Sequence, residues 1–566
     1  MSTPGLVEEA LALADAKARS GNASAATPGN NNQRRSSHGA ADLDNVRNEA
    51  QRVVAGDLAL EPAFKTVLTD LLQDLNKDPL TQSHVAPLRP LAYQLRVKYL
   101  AWAHAGLLEL IFRQPNKQRD LWDFVGRYLT FLSDTGWAES TLRARGLRLE
   151  NITTEPELQN WLEAFEQVEA PVAVLVPLQL GDLQADQLTA LHGIELVDEV
   201  PGLRGFGPGV RVARVSELGV DPLTACTTAR TRLADLVNTA GVFLARPPAL
   251  ERAPVVYVEE EGTVTPVDVM RAPPYEERFS NRQQVDLALR AVWSTRGEGL
   301  PEAIFDAMRL RHRAIATSDP ETRLVLLWFG IERLVAGSAE HGTIRASIVN
   351  LVPKCITFGK TRRVISDLCG RMVTATEEQR REGLLDEVGA VRDQRGRRVL
   401  DRERVLARVL GDDGPWEKML APFYDIDPNL VLRLERLRKH FRGESGDHIG
   451  NNVAADLKRS CEGVEWQVLR LYRARNGVAH AGAKVRRLDS LIAHAHFYLT
   501  NLVSIAVNYT STTSTSSPAA VLEARCGQYD AWMALLRAGD PQAVTPANLL
   551  RPTNLLPMSL PRAQHP

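Results

Sequence analysis

From about residue 281 to Tyr509, apolar residues return every three or four positions, and that single periodicity commits this part of the chain to packed amphipathic helices. Four segments carry the pattern most strongly: Glu321 to Ala336, Thr343 to Val352, Val453 to Asn476 and Val485 to Asn508. The same period runs from Asp42 to about Leu149, where Leu91, Leu95, Tyr99 and Trp102 share one stripe. Between these stretches the pattern changes. Val172 to Val176 is a β-branched run stopped by Pro177, Val255 to Val258 is another, Gly262 can turn the latter back into Val264 to Val269, and Thr224 to Leu244 reads as a helix. The expected fold class is mainly α: an N-terminal helical region, a small central α+β domain and a C-terminal helical bundle.

Composition places the boundaries. The 566 residues suit about three or four domains. Residues 1–45 are expected to be a flexible N-terminus with at most a short helix, because Ser20 to Ala41 is rich in Gly, Asn, Ser, Ala and Arg. Residues 46–150 form the helical domain and 151–280 the α+β domain, which Pro273 and Pro274 close. Residues 281–510 form the bundle, with a highly charged segment near 371–413 expected as an exposed helical insertion. Residues 511–566 read as a linker, a short helix and a Pro-rich tail.

Lys and Arg number 68 and Asp and Glu 69, so any nucleic-acid contact has to come from a local patch. The five cysteines have no C-x-x-C spacing, which argues against a disulfide framework and against a structural zinc site and fits a reducing cytosol. No metal, cofactor or membrane association is expected: the apolar stretches at Leu324 to Leu334 and Leu499 to Val507 are interrupted short of the ~20 residues a span needs. The Gly205-Phe206-Gly207-Pro208-Gly209 loop lacks the G-x-G-x-x-G spacing, and Pro208 removes an amide donor, so it reads as a plain turn.

The most informative piece is Leu469-Arg470-Leu471-Tyr472-Arg473-Ala474-Arg475-Asn476-Gly477-Val478-Ala479-His480. Val464, Val468 and Leu471 form an apolar stripe that Arg475 continues, aiming a guanidinium at a helix interface, where it requires an anionic partner or ligand. On a straight helix His480 would lie about 140° around the axis from Arg475. Gly477 is therefore expected to end or distort the helix at Asn476 to Gly477 and return His480 to Arg475. Glu332 lies on the apolar face of Val325, Trp328, Phe329 and Val335, needs a partner, and is matched with Arg475.

Arg475-Asn476-x-x-x-His480, after one amphipathic helix and before another (Leu488, Leu491, Ile492, Ala495, Leu499), resembles the R-x4-6-H signature of the HEPN superfamily. The closest flavour is the Apea-like HEPN ribonucleases of bacterial anti-phage and abortive-infection proteins. The likeness covers about residues 300 to 510, with Ile331-Glu332-Arg333-Leu334 resembling the first helix of such domains. It implies a helical bundle, a homodimer with facing motifs, and a metal-independent endoribonuclease of defence or toxin type, with any phage-derived or antitoxin regulator left open. Arg475, Asn476 and His480 would be catalytic, with Glu332, Tyr472 and Gly477 in support. RNA cleavage needs a base for the 2′-hydroxyl, an acid for the departing 5′-oxygen and a cation for the phosphate. His480 suits the first two roles and Arg475 the third, while Asn476 can bind the ribose or phosphate. One imidazole cannot serve as both acid and base in one step, which calls for a second copy across a twofold axis.

Three further pairs fit the loose spacing: Arg442 with His448, Arg473 with His480 and Arg487 with His494. Only Arg475 and His480 combine the adjacent Asn, the glycine and strong helices on both sides. His494 and His496 point to nearly opposite sides of a helix and do not share a metal, and Glu444, Asp447 and His448 read as loop polarity. Arg433, Arg436, Arg438, Lys439, His440 and Arg442 form a basic stripe that either guides RNA or is an ordinary exposed face paired with acids such as Glu435. Two other readings of the main motif stand beside the ribonuclease: a non-catalytic RNA-binding, nucleotide-binding or dimerisation module, and a helical scaffold in which Arg475 and Glu332 satisfy one another.

Overall fold

The computed structural model describes residues 2–24, 33–114, 118–138, 141–142, 145–146, 152–166, 169–181, 183–185, 194–197, 210–241, 249–250, 255–260, 263–268, 301–317, 319–338, 343–378, 390–392, 398–443, 448–481, 488–510 and 517–556. These residues are mostly helical and fall into two units, Met1–Ala272 and Pro273–Pro566. The division lies slightly ahead of the boundary expected near 280, and the helical and α+β regions before it belong to one unit. The 205–209 loop lies outside the described residues, as do positions 444–447 and Arg487.

In the first unit, helices Thr3–Ser24, Gln33–Ala55, Pro62–Asp74, Leu88–Leu108, Gln118–Asp134 and Glu155–Glu163 bury one core through Leu6, Val46, Leu72, Leu95, Phe131 and Leu162. Part of the expected flexible N-terminus is thus helical and packed. Its alanines and leucines, including Leu6, Ala10 and Ala14, return at the spacing that lets short side chains bring two helices together. Inside this core Tyr99 donates its hydroxyl to the buried Asp57 carboxylate at 2.7 Å.

The α+β part is a six-stranded antiparallel sheet in the order β2-β3-β1-β5-β6, with β4 also beside β1. The strands are β1 Ala170–Gln179, β2 Ile194–Val197, β3 Val210–Gly219, β4 Ala249–Leu250, β5 Val255–Glu260 and β6 Thr263–Asp268. Val174, Val176 and Leu178 alternate onto the face covered by Ala225, Cys226, Ala229 and Leu233 of the Pro222–Gly241 helix. Pro177 does not end β1. It pairs in register with Val212 of β3, and on the other side it falls between the residues paired with β5 and those paired with β4.

The second unit has two hydrophobic cores. The first joins helices Glu302–Ala316, Pro320–Val335, Ile344–Phe358 and Leu488–Thr510 through Ile304, Trp328, Ile348 and Leu499. Gly330 permits the close approach of two of them, since a Cβ there would meet Leu499 Cδ2 at 2.7 Å. The second core joins helices Lys360–Glu378, Arg402–Leu410, Asp413–Leu420, Pro428–Arg442 and Pro546–Leu550 through Met372, Leu406, Trp416, Leu434 and Leu550. Two long helices serve both cores. Ile449–Ala481 gives Val453 and Leu457 to one and Val468 and Leu471 to the other; Pro518–Arg537 gives Trp532 and Leu536 to one and Leu522 and Cys526 to the other.

Four expectations change here. The described parts of the charged 371–413 segment are not an exposed insertion: they supply Met372, Leu400, Val405, Leu406 and Val409 to the second core and include a short hairpin of β7 Ala390–Arg392 and β8 Arg398–Leu400. On the Arg402–Leu410 helix the charged Arg402, Glu403, Arg404 and Arg408 are exposed while Val405, Leu406 and Val409 are buried. The C-terminal stretch is no mere tail, because Tyr529, Trp532 and Met533 are core residues. The second of the four expected helices runs past Val352, through the buried Pro353, to Phe358. Finally, Leu488–Tyr509 is long and apolar enough by composition to cross a membrane, and Ala495, Tyr498, Leu499, Leu502 and Ala506 on that helix are buried in the first core.

Candidate functional site

Asp319 caps the Pro320–Val335 helix by accepting from the backbone N–H groups of Glu321 and Thr322, and Pro320 opens it. That start sets the register in which Trp328, Phe329 and Glu332 come to one region. Trp328 is buried and donates its indole N–H to Glu332 Oε1 at 2.6 Å, one turn along the same helix. The carboxylate is thus oriented before any residue of another helix reaches it.

Across the interface, the Ile449–Ala481 helix buries Val468, Leu471 and Ala474 and presents Arg475 beside them. Arg475 Nη2 donates to the same Glu332 Oε1 at 3.4 Å, Nη1 donates to Asn476 Oδ1 at 2.8 Å, and the guanidinium carbon lies 5.1 Å from the centre of the Phe329 ring. Its Nε is buried without a hydrogen-bond partner. The pair is partly open to solvent, with side-chain exposures of 16% for Arg475 and 23% for Glu332. One long contact to one carboxylate oxygen is far from the two-pronged geometry that saturates an arginine, so donors remain for a further anion.

The expected break at Gly477 does not occur. The helix continues to Ala481, and Gly477 is not among the glycines with positive φ. Glycine permits the left-handed conformation without imposing it, and its cost of about 1 kcal/mol inside a helix is small beside the packing and hydrogen bonds of a long one. Arg475 and position 480 therefore stay about 140° apart around the axis. What brings the motif together is Asn476, whose amide oxygen receives Arg475 and which lies one turn before position 480 on the same helix face. Tyr472 stands one turn earlier still on that face. Its ring is 5.9 Å from the Trp328 ring, and the Arg345 guanidinium covers it at 4.7 Å. Tyr472 and Asn476 thus lie one turn apart on one face of the helix, beside two arginines that each meet an aromatic ring.

The basic stripe has a different fate. Arg438 is buried, donating through Nη1 to the Arg408 and Val409 carbonyls at 3.1 and 2.9 Å and through Nη2 to Asp413 Oδ1 at 2.6 Å, with Trp416 beneath its guanidinium at 5.0 Å. Arg442 donates to the same Asp413 oxygen at 2.9 Å. Hydrogen bonding from Arg438 holds the Asp413 carboxyl below its ordinary range. Arg433, 4.0 Å from Asp367, Arg436 and Lys439 are exposed, while His440 is half-buried and lowered by burial against the opposing pull of Asp456. Arg438 is thus removed from the surface stripe the sequence suggested, because Asp413 comes from the segment misread as an exposed insertion.

His494 stacks on Tyr498 with ring centres 6.1 Å apart, and His496 is buried with Nε2 unpartnered. Sequence reasoning missed two parts of the site, the stacking of Arg475 on Phe329 and the approach of Arg345 to Tyr472. Phe329 carried a signal, an aromatic residue at the edge of the Glu332 face, whereas Arg345 belongs to another helix and carried none. Among the described residues, no three His, Cys, Asp or Glu side chains cluster in a way that could hold a metal ion. Comparisons of the chain with family models, with curated proteins and with solved structures give no match.

Proposed function

We propose that the C-terminal unit is a HEPN-type, metal-independent endoribonuclease acting as a homodimer, with Arg475, Asn476 and His480 as its catalytic residues. The observation that carries this reading is the state of Arg475: it is oriented by Glu332, Asn476 and Phe329, yet each of its terminal nitrogens makes one contact and has a second N–H to offer at a partly open surface. A guanidinium in that state suits a phosphate, to which it offers two parallel N–H donors. His480 deprotonates the 2′-hydroxyl, the oxygen attacks the adjacent phosphorus, and the His480 of a second copy protonates the leaving 5′-oxygen. Asn476, one turn from His480, holds the ribose or phosphate between them. A role in bacterial defence or as a toxin rests on the family resemblance alone.

A second reading is favoured by the unbroken helix: a non-catalytic RNA-binding, nucleotide-binding or dimerisation module. Incubating the wild type and His480→Ala with total RNA in chelator separates the two. The ribonuclease gives fragments ending in 2′,3′-cyclic phosphate and 5′-hydroxyl, reduced at least about 100-fold by His480→Ala. Fragments with 3′-hydroxyl ends, or activity abolished by chelator, contradict it. Intact RNA that binds wild type but not Arg475→Ala establishes the second reading.

A further inference from the structure

The cysteine count and spacing gave no reason to expect a covalent link, but the fold places two of the five thiols side by side. Cys355 and Cys526 are both buried, and their sulfurs are 3.8 Å apart although 171 residues separate them in sequence. Cys355 lies on the Ile344–Phe358 helix and Cys526 on the Pro518–Arg537 helix. Each thiol also contacts the backbone of the opposite helix. Cys355 Sγ donates to the Leu522 carbonyl at 3.6 Å, and Cys526 Sγ to the Leu351 carbonyl at 3.5 Å. Each accepting carbonyl lies four residues before the other cysteine, so the two halves of the contact are equivalent when the helices exchange roles. Lys354, beside Cys355, pairs with Asp530, one turn beyond Cys526, at 2.7 Å and fixes the same seam.

We propose that Cys355 and Cys526 are a covalent modification site: they form an intramolecular disulfide by exchange with a small-molecule disulfide such as oxidised glutathione, tying the two helices together. A disulfide requires the sulfurs to close from 3.8 Å to about 2.05 Å. In the exchange, one protein thiol loses its proton and attacks the small disulfide, releasing one small thiolate and leaving a mixed disulfide. The second protein thiol loses its proton and attacks the mixed disulfide at the protein sulfur, releasing the second thiolate. The two released thiolates take up the two protons, so two protein S–H bonds become one S–S bond and one small disulfide becomes two thiols. The hydrogen bond with the Cys355 thiol, then burial, favour protonated Cys526, which makes the reduced pair slow to react and the exchange dependent on local opening of the seam. Cys369, buried, and Cys461, half-buried on the Ile449–Ala481 helix, are the competing thiols in this unit.

The full-length protein, reduced and then incubated with oxidised glutathione, is alkylated after denaturation and weighed intact, with peptide mapping under non-reducing conditions. The expected result is a loss of two alkylatable thiols, a Cys355–Cys526 cross-linked peptide, and a melting temperature raised by roughly 5 °C or more that dithiothreitol reverses. Cys526→Ser is expected to retain all its remaining thiols, and Cys355→Ser to do the same should the first variant fold poorly. Retention of all five thiols over days, or a link that uses Cys226, Cys369 or Cys461, overturns the proposal.

Discussion

Two arginines of the C-terminal unit, Arg475 and Arg438, both lie on long helices, both stack on an aromatic ring and both meet a carboxylate, yet they differ in what is left over. Arg438 has two carbonyls and a carboxylate within 3.1 Å, while Arg475 has one amide oxygen, one carboxylate oxygen at 3.4 Å and an unpartnered Nε. The first is a fastening between the ends of packed helices. The second is a held but unsaturated cation. A charge near an interface thus says little about its role until its donors are counted against its partners.

The contrast extends to the core behind each arginine, and the largest expected effect on stability comes from the core behind Arg475. Burial, then the Arg311 and Arg323 charges, pull the His496 imidazole down to about 4. The unfolded chain, with an ordinary imidazole near 6.5, takes up the proton first. The stability associated with neutral His496 is therefore complete above about pH 6.5 and is lost as pH falls towards about 4. Denaturant melts at pH 7 and pH 4 are expected to show the wild type losing about 3 kcal/mol more than His496→Gln. Equal losses would mean that the buried imidazole is protonated in the folded state as easily as in the unfolded one.

A smaller effect sharpens the comparison at Arg475. Glu332→Gln keeps the shape and the contact with Trp328 but removes the charge that orients the guanidinium. RNA cleavage is expected to fall about 10-fold, the equivalent of one charge-assisted hydrogen bond, with little change in melting temperature. A rise in activity would mean that Glu332 restrains Arg475 instead of positioning it.

The helical character was legible because the 3.6-residue repeat is strong wherever one face is buried, as at Leu324, Trp328, Ile331 and Val335. The sheet was legible from the β-branched runs around Val174 and Val258, but its extent was not, since Pro177 is tolerated only where a second partner strand is lacking. The packing of Leu406 and Val409 was hidden by neighbouring charges such as Glu403, Arg404 and Arg408, which are exposed on the same helix. Around the site, Glu332 and Arg475 could be matched because each is a charge on an apolar stripe. The fate of Gly477 could not, because one residue type serves both a helix end and a helix interior, and tertiary packing decides between them. The Asp413 partner of Arg438 and the adjacency of Cys355 and Cys526 depend on distant segments meeting, which no local pattern encodes.

The most direct test pairs Arg475→Ala with Arg438→Ala, measuring both melting temperature and RNA cleavage in chelator for each. The account predicts that Arg475→Ala melts within about 3 °C of wild type and loses cleavage, whereas Arg438→Ala, leaving two helix carbonyls without their donor, loses about 2 kcal/mol of stability and cleaves normally below its melting point. An Arg475→Ala protein that cleaves like wild type but melts well below it would contradict the account and make Arg475 a fastening like Arg438.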